Sequence, residues 1–275
     1  IAIGYQAADG ITTGGKNTIM GYQALATADN DENENTAIGY QSMYACNHNS
    51  TSTNVAVGHE ALYGGTGQLT YNTAIGYQAM KSTAGNAQAG TTAIGHQALT
   101  ALTSGAGNVA VGYQTGLLTT TGTSNTYIGY GAADETHVDA SANTVLGSGA
   151  FGGTHTGTVC HYNVAIGTNT LTGAMNGVDG AVAVGTNALA ALTTGASNTA
   201  IGYQAANTLT GASHNVAIGY QALKGQVEGN RNIAIGKGAM GLADGTNSND
   251  SSDNIFIGYL AGGGAWADVA STSNV

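Results

Sequence analysis

The octet NTAIGYQA fills residues 72–79 and returns unchanged at 198–205, with near-copies between. Aligned on its glycine, the motif recurs fifteen times: Gly4, Gly21, Gly39, Gly58, Gly76, Gly95, Gly112, Gly129, Gly147, Gly167, Gly185, Gly202, Gly219, Gly236 and Gly258. Most copies lie 17–19 residues apart, with steps of 20 and 22 beside two insertions. A period of this length is the mark of a solenoid, in which each repeat is one coil that cannot bury its own apolar face.

The columns around the glycine identify the element. One residue before it, every copy carries a large aliphatic, and three before it every copy is β-branched. The residue between them is alanine in eleven copies. Alternation at period two with β-branched side chains is a strand signal. Each unit then reads as a short strand, a glycine corner and a second segment such as ALTALTSGAGN. The aliphatic column, including Ile38, Ile75, Val111, Ile201 and Ile218, is expected to point inward as the core. In the second segment Leu99, Leu102, Leu189 and Leu192 are expected to point back toward it. The small residue three after each glycine, such as Ala79, Ser42 or Thr170, suits close packing.

Stacked coils place successive strands about 4.8 Å apart, so fifteen of them extend roughly 70 Å. The corner glycines, Gly39, Gly76, Gly112, Gly202 and Gly219 among them, are expected to need positive φ or close backbone approach. Asparagine precedes the strand in twelve of the fourteen later copies, Thr91 and Ala181 being the exceptions. Asn tolerates left-handed backbone and bonds its own turn, so a ladder of stacked Asn is expected to satisfy turn amides.

Composition agrees with an ordered array. The 275 residues include 45 glycines and no proline, yet 42% are apolar and only 7% charged, unlike a disordered linker. No run of about 20 apolar residues is present for a membrane span. Five Lys and Arg against a net charge of −10 leave no basic stripe for nucleic acid. Cys46 and Cys160, at different places in the repeat, are read as free thiols. No leader is visible. Ile1 is already a strand residue and Asn274-Val275 looks like the start of a sixteenth copy, so a piece of a longer fibre without caps is expected.

The NTAIGYQAL-type units resemble the repeats in phage tail-fibre shafts. More distantly, they are similar to the head repeats of trimeric autotransporter adhesins, whose period is shorter and which lack the Tyr-Gln after the glycine. The resemblance covers Ile1 to about Ala261. It implies an all-β, parallel β-solenoid or β-roll of about fifteen coils, three chains side by side, in an extracellular or virion fibre. Its partners are then other copies of itself, other fibre or virion proteins and a host-surface glycan. The expected role is a structural shaft that presents a host-binding tip. The alternative is a bacterial surface adhesin or matrix filament whose repeats themselves bind.

Candidate sites are few. Tyrosine follows the glycine in nine copies, and a stripe including Tyr40, Tyr77, Tyr113, Tyr203 and Tyr220 could offer a sugar-binding track or simply shield the corner. The stripe breaks from Ser148 to Asn187, and His59 and His96 take tyrosine's place elsewhere. The acidic stretches DNDENEN (29–35) and NSNDSSDN (247–254) match no calcium-loop spacing and are read as solvated insertions. Cys160-His161 has no second sulfur ligand nearby, so no metal is expected. Asp134, Glu135 and Asp139 lie in one connecting segment, which does not suit the paired carboxylates of glycan hydrolysis. No catalytic residue and no cofactor are expected. Ice binding is a remote third reading, because threonine fills only seven of fifteen places three before the glycine and is expected to face inward.

Overall fold

In the computed structural model, residues 1–28, 31–48, 50–65, 67–83, 86–135, 139–154, 157–225, 227–241 and 251–263 are described. Residues 29–30 and 247–250 of the two acidic stretches, and Asn274 and Val275 of the sixteenth copy, lie outside them. Two compact units are present, Ile1–Asp134 with Val138–Ser141, and Ala142–Val275 with Glu135–His137. Each unit is a parallel β-solenoid, and no helix occurs among the described residues. The first unit stacks Ala2–Ile3, Thr18–Met20, Thr36–Ile38, Val55–Val57, Thr73–Ile75, Thr92–Ile94, Val109–Val111 and Thr126–Ile128. The second stacks Thr144–Leu146, Val164–Ile166, Val182–Val184, Thr199–Ile201, Val216–Ile218, Ile233–Ile235 and Ile255–Ile257. Pairing is parallel and in register: Ala37 faces Ala56, which faces Ala74. A second ladder joins Leu69–Thr70 to Gln88–Ala89.

The phase of the strands is opposite to the one expected. Ala37, Ala74, Ala110, Ala200 and Ala217 are fully buried, while Ile75 and Ile201 are 37% and 39% exposed. Ile38, Val111 and Ile218 are half-buried on the same outward face. The five aliphatics assigned to the core therefore line the surface. The reason is the thinness of the coil. Opposite the strand stand the residues four after the glycine, and Leu25, Met43, Leu62, Met80, Leu99, Leu189 and Leu223 there are fully buried. Little more than a methyl group fits between that column and the strand. Leu102 and Leu192 are buried as expected. So is the small residue three after the glycine, from Ala24 to Ala239, with Ser42, Thr115 and Thr170 among them.

Corner glycines have both reasons proposed for them. Gly39, Gly76, Gly112, Gly202 and Gly219 hold φ between +133° and +143°. A Cβ on Gly76 would also stand 2.3 Å from the carbonyl oxygen of Gly95. The backbone just after each corner is less expected. The second and fourth residues after the glycine are left-handed too, as in Gln78 (φ 54°) and Met80 (φ 50°), although neither is glycine. Each such residue costs roughly 1–2 kcal/mol. Hydrogen bonds between coils offset that strain: the Gln78 amide donates to His59 O at 2.9 Å and the Met80 amide to Ala98 O at 3.0 Å.

The asparagine ladder forms within each unit. Asn215 Oδ1 accepts from the amide and Nδ2 of Asn232 at 2.9 and 3.1 Å. Its Nδ2 donates to Asn198 Oδ1 at 3.1 Å and Gly229 O at 2.8 Å. These side chains are almost wholly buried. Asn215→Ala strips one rung and leaves buried donors and acceptors unmade, so a loss of about 2–3 kcal/mol is expected. Chemical denaturation followed by circular dichroism measures it.

Candidate functional site

The tyrosine column is a stack of rings. In the first unit Tyr5, Tyr22, Tyr40, His59, Tyr77, His96, Tyr113 and Tyr130 succeed one another with centroid spacings of 4.8–5.4 Å. Interplanar angles stay between 5° and 25°. The two histidines thus continue the column. In the second unit Tyr203 stacks on Tyr220 at 5.4 Å, and Lys237 Nζ then lies 5.6 Å from the Tyr220 ring and 5.8 Å from that of Tyr259. That ammonium occupies the place of a ring and gains cation–π attraction on both sides. The break in the stripe, from Ser148 to Asn187, falls in the second unit.

Beside the rings runs a ladder of amides. Gln23 donates to Gln6, Gln41 to Gln23, Gln97 to Gln78 and Gln114 to Gln97, at 2.8–3.2 Å. Glu60 enters this row, accepting from Gln78 and from Lys81 Nζ, each at 2.7 Å. The hydrogen bond from Lys81 holds the Glu60 carboxyl below the usual carboxylate range. Glu60 accepts on one side only, because a carboxylate has no donor to pass on to Gln41, and the ion pair with Lys81 takes the place of that contact.

This geometry decides what the stripe can do. Stacking commits ring faces to neighbouring rings, so Tyr40, Tyr77 and Tyr113 present edges and hydroxyls. A sugar that needs to lie flat on an aromatic face finds none between stacked rings; Tyr5 and Tyr130, each stacked on one ring only, are more exposed at 65%. Between stacked rings the geometry suits shielding of the corner better than a continuous sugar track.

The strand face adjoining the rings is a surface feature that hydrophobicity alone did not disclose. Thr36, Ile38, Val55, Val57, Thr73 and Ile75 are half-buried or exposed there, in one column of β-branched Thr and Val and one of Ile and Val at the spacing of paired strands. Its threonines point outward, not inward. Within each of their strands the other outward residue is Ile, Leu or Met, as Ile75 beside Thr73, so although Thr73 meets Thr92 in the next coil no strand carries a Thr-x-Thr pair.

The acidic stretch at 29–35 is not a solvated insertion over its described part. Glu32 is fully buried, Asn35 is a ladder rung, and Asn33 Oδ1 accepts from the Gly15 amide at 2.8 Å. This part of the segment is coil wall, because the register carries it inside. At the other stretch Asp253 pairs with Arg231 at 2.6 Å, and Ser251 and Asn254 are buried. Cys46 and Cys160 are free and buried, and desolvation pushes both thiols up, the nearby Glu32 adding to this at Cys46. Among the described residues no group of three His, Cys, Asp or Glu is placed to hold a metal ion. Asp134 is half-buried, whereas Glu135 and Asp139 are exposed. No helix among the described residues is long and apolar enough to cross a membrane.

Comparison with known proteins finds no matching family model, curated protein or solved structure.

Proposed function

We propose that the chain is a structural shaft segment of an extracellular fibre of the phage tail-fibre kind, built from three copies side by side and presenting a host-binding tip. The observation that carries this reading is the outward strand face. Within each unit, Ile, Val and Thr repeat in register beside the ring column, and Ile75 and Ile201 stay more than a third exposed. A continuous apolar face of this kind favours burial against a partner. Each outward Ile that a neighbour covers contributes about 1 kcal/mol. Identical stacked faces suit a symmetric self-association, in which every coil finds the same partner.

Sedimentation of the chain at micromolar concentration is expected to give three times the 27.1 kDa of one copy. The pair Ile75→Glu and Ile201→Glu is expected to yield monomer with unchanged circular dichroism, since these side chains point away from the coil. A wild-type monomer at that concentration removes the reading.

A second reading, a surface adhesin whose repeats bind, draws support from a polar groove on the first unit, lined by Asp31, Ser50 and Tyr71 among others.

A further inference from the structure

Just before the strands, three consecutive coils of the first unit set polar side chains in rows. Asp31, Asn33 and Glu34 form one row, Ser50, Ser52 and Thr53 the next, and Gln68, Thr70 and Tyr71 the third. Bridges Asn33–Ser52 and Ser52–Thr70 fix their register, so like atoms repeat about 4.8 Å apart. Together they line an open groove of about 580 Å³. Small-molecule sites usually measure about 300–1,000 Å³.

Tyr71 differs from the tyrosines of the column. It is 68% exposed, and it joins no ring stack among the described residues. The next coil offers Gly90 at the equivalent position, where a Cβ would meet nothing within 4 Å. The rows lie on the other side of the ring, where the equivalent residue of the preceding coil is the short Thr53, so no aromatic neighbour stacks on Tyr71 from either coil. Flat apolar surface beside hydroxyl, amide and carboxylate groups is the combination that fits a pyranose, which has an apolar face and a hydroxylated rim.

We infer that this groove binds a neutral oligosaccharide, with a sugar ring on Tyr71 and hydroxyls bonded along the rows that begin at Asp31, Ser50 and Gln68. Carboxylates accept several hydrogen bonds and form strong, charge-assisted ones with paired hydroxyls. Asp31 is oriented by Asn33, whose Nδ2 donates to it at 3.0 Å, and Glu34 by Lys16 Nζ at 2.7 Å. The hydrogen bond and charge of Lys16 hold the Glu34 carboxyl below its usual range, so it is ionised at neutral pH. Lys16 offsets the charge of Glu34, so Asp31 leaves the groove net acidic in a chain of net charge −10, which selects against sialylated or phosphorylated glycans. Sugar binding here rests on the adhesive reading and stands whether or not three chains associate. Three associated copies would add avidity to a weak single site.

The test is saturation-transfer NMR and calorimetry on the full chain, with cellotriose, mannotriose and lactose as neutral probes and sialyllactose as the anionic one. Binding of at least one neutral probe is expected, with sialyllactose weaker than lactose. Tyr71→Asn keeps a residue that tolerates φ 57° and is expected to weaken that binding about tenfold. Asp31→Asn is expected to narrow the gap between lactose and sialyllactose. Tyr113→Ala, in the closed ring column, is expected to leave binding unchanged. Failure of all three neutral probes, or equal binding by the Tyr71 variant, overturns the inference. Sedimentation of the same samples reports separately on the shaft assembly.

Discussion

Gly76→Ala is expected to cost on the order of 4 kcal/mol or more, enough to remove most of the stability of an ordinary domain. Two independent faults add. The backbone holds φ +134°, where an L-residue is strained by about 1–3 kcal/mol. The new methyl group would also sit 2.3 Å from Gly95 O and 2.7 Å from Gly95 C, and the obstacle is backbone, not a side chain that can swing aside. Relief requires separating two coils, which breaks the Gly95 amide bond to Ile75 O and its neighbours. In a stack where each coil touches only the next, that gap divides the unit into two shorter solenoids. Thermal and denaturant unfolding measure the loss. Gly15→Ala is the control: its Cβ would meet only Asn33 Oδ1 at 3.8 Å, so a change within about 0.5 kcal/mol is expected. Equal effects at the two positions would refute the steric account.

Period was legible from the sequence, whereas phase was not. Alternation over Thr73-Ala74-Ile75 states that residues one apart face opposite ways, and a shift of one reverses every side chain. Hydrophobicity favoured Ile inside; the width of the coil reversed the choice. A signal for the true phase was present in the strands that lack alanine. Tyr127 fills the alanine place and is fully buried, and in the preceding coil the residue four after the glycine is Gly116 rather than leucine. Phe256 likewise stands beside Gly262. A large residue appearing where its opposite column shrinks marks two positions that share one interior space.

Other features divide by the same logic. The asparagine ladder could be foreseen, because Asn next to a turn has a chemical preference that stacking only multiplies. Left-handed Gln78 and Met80 could not, since nothing in either residue type asks for positive φ; the coil imposes it. The tyrosine stripe was visible as a column, but whether its faces are open depends on ring orientation, which spacing does not encode. Tyr71 escapes sequence reasoning for the converse reason. It lies outside the aligned column, and its exposure depends on the short residues at the equivalent places in the coils on either side, Thr53 and Gly90, eighteen and nineteen residues away along the chain.

Two positions that share one space must respond to substitution as a pair. Gly116 has φ +62°, close to the +49° of Leu99 at the equivalent place, so the backbone there already accepts leucine. What forbids a side chain is the Tyr127 ring, whose Cδ2 lies 3.0 Å from where a Cβ would stand, with Leu99 Cδ2 at 2.8 Å. Gly116→Leu alone overfills the interior and is expected to cost about 3 kcal/mol. Tyr127→Ala alone leaves a void under Leu99 and is expected to cost about 4 kcal/mol. The double variant recreates the pairing of Leu99 with Ala110 one coil earlier, and should lie within about 1.5 kcal/mol of the parent, a coupling well beyond what separate sites show. The two residues are eleven apart in sequence and carry no charge, so only a common volume can couple them this strongly. Additive losses in denaturant titrations of the three variants would mean that alanine is not the inward column, and that the strands present their aliphatic face to the core after all.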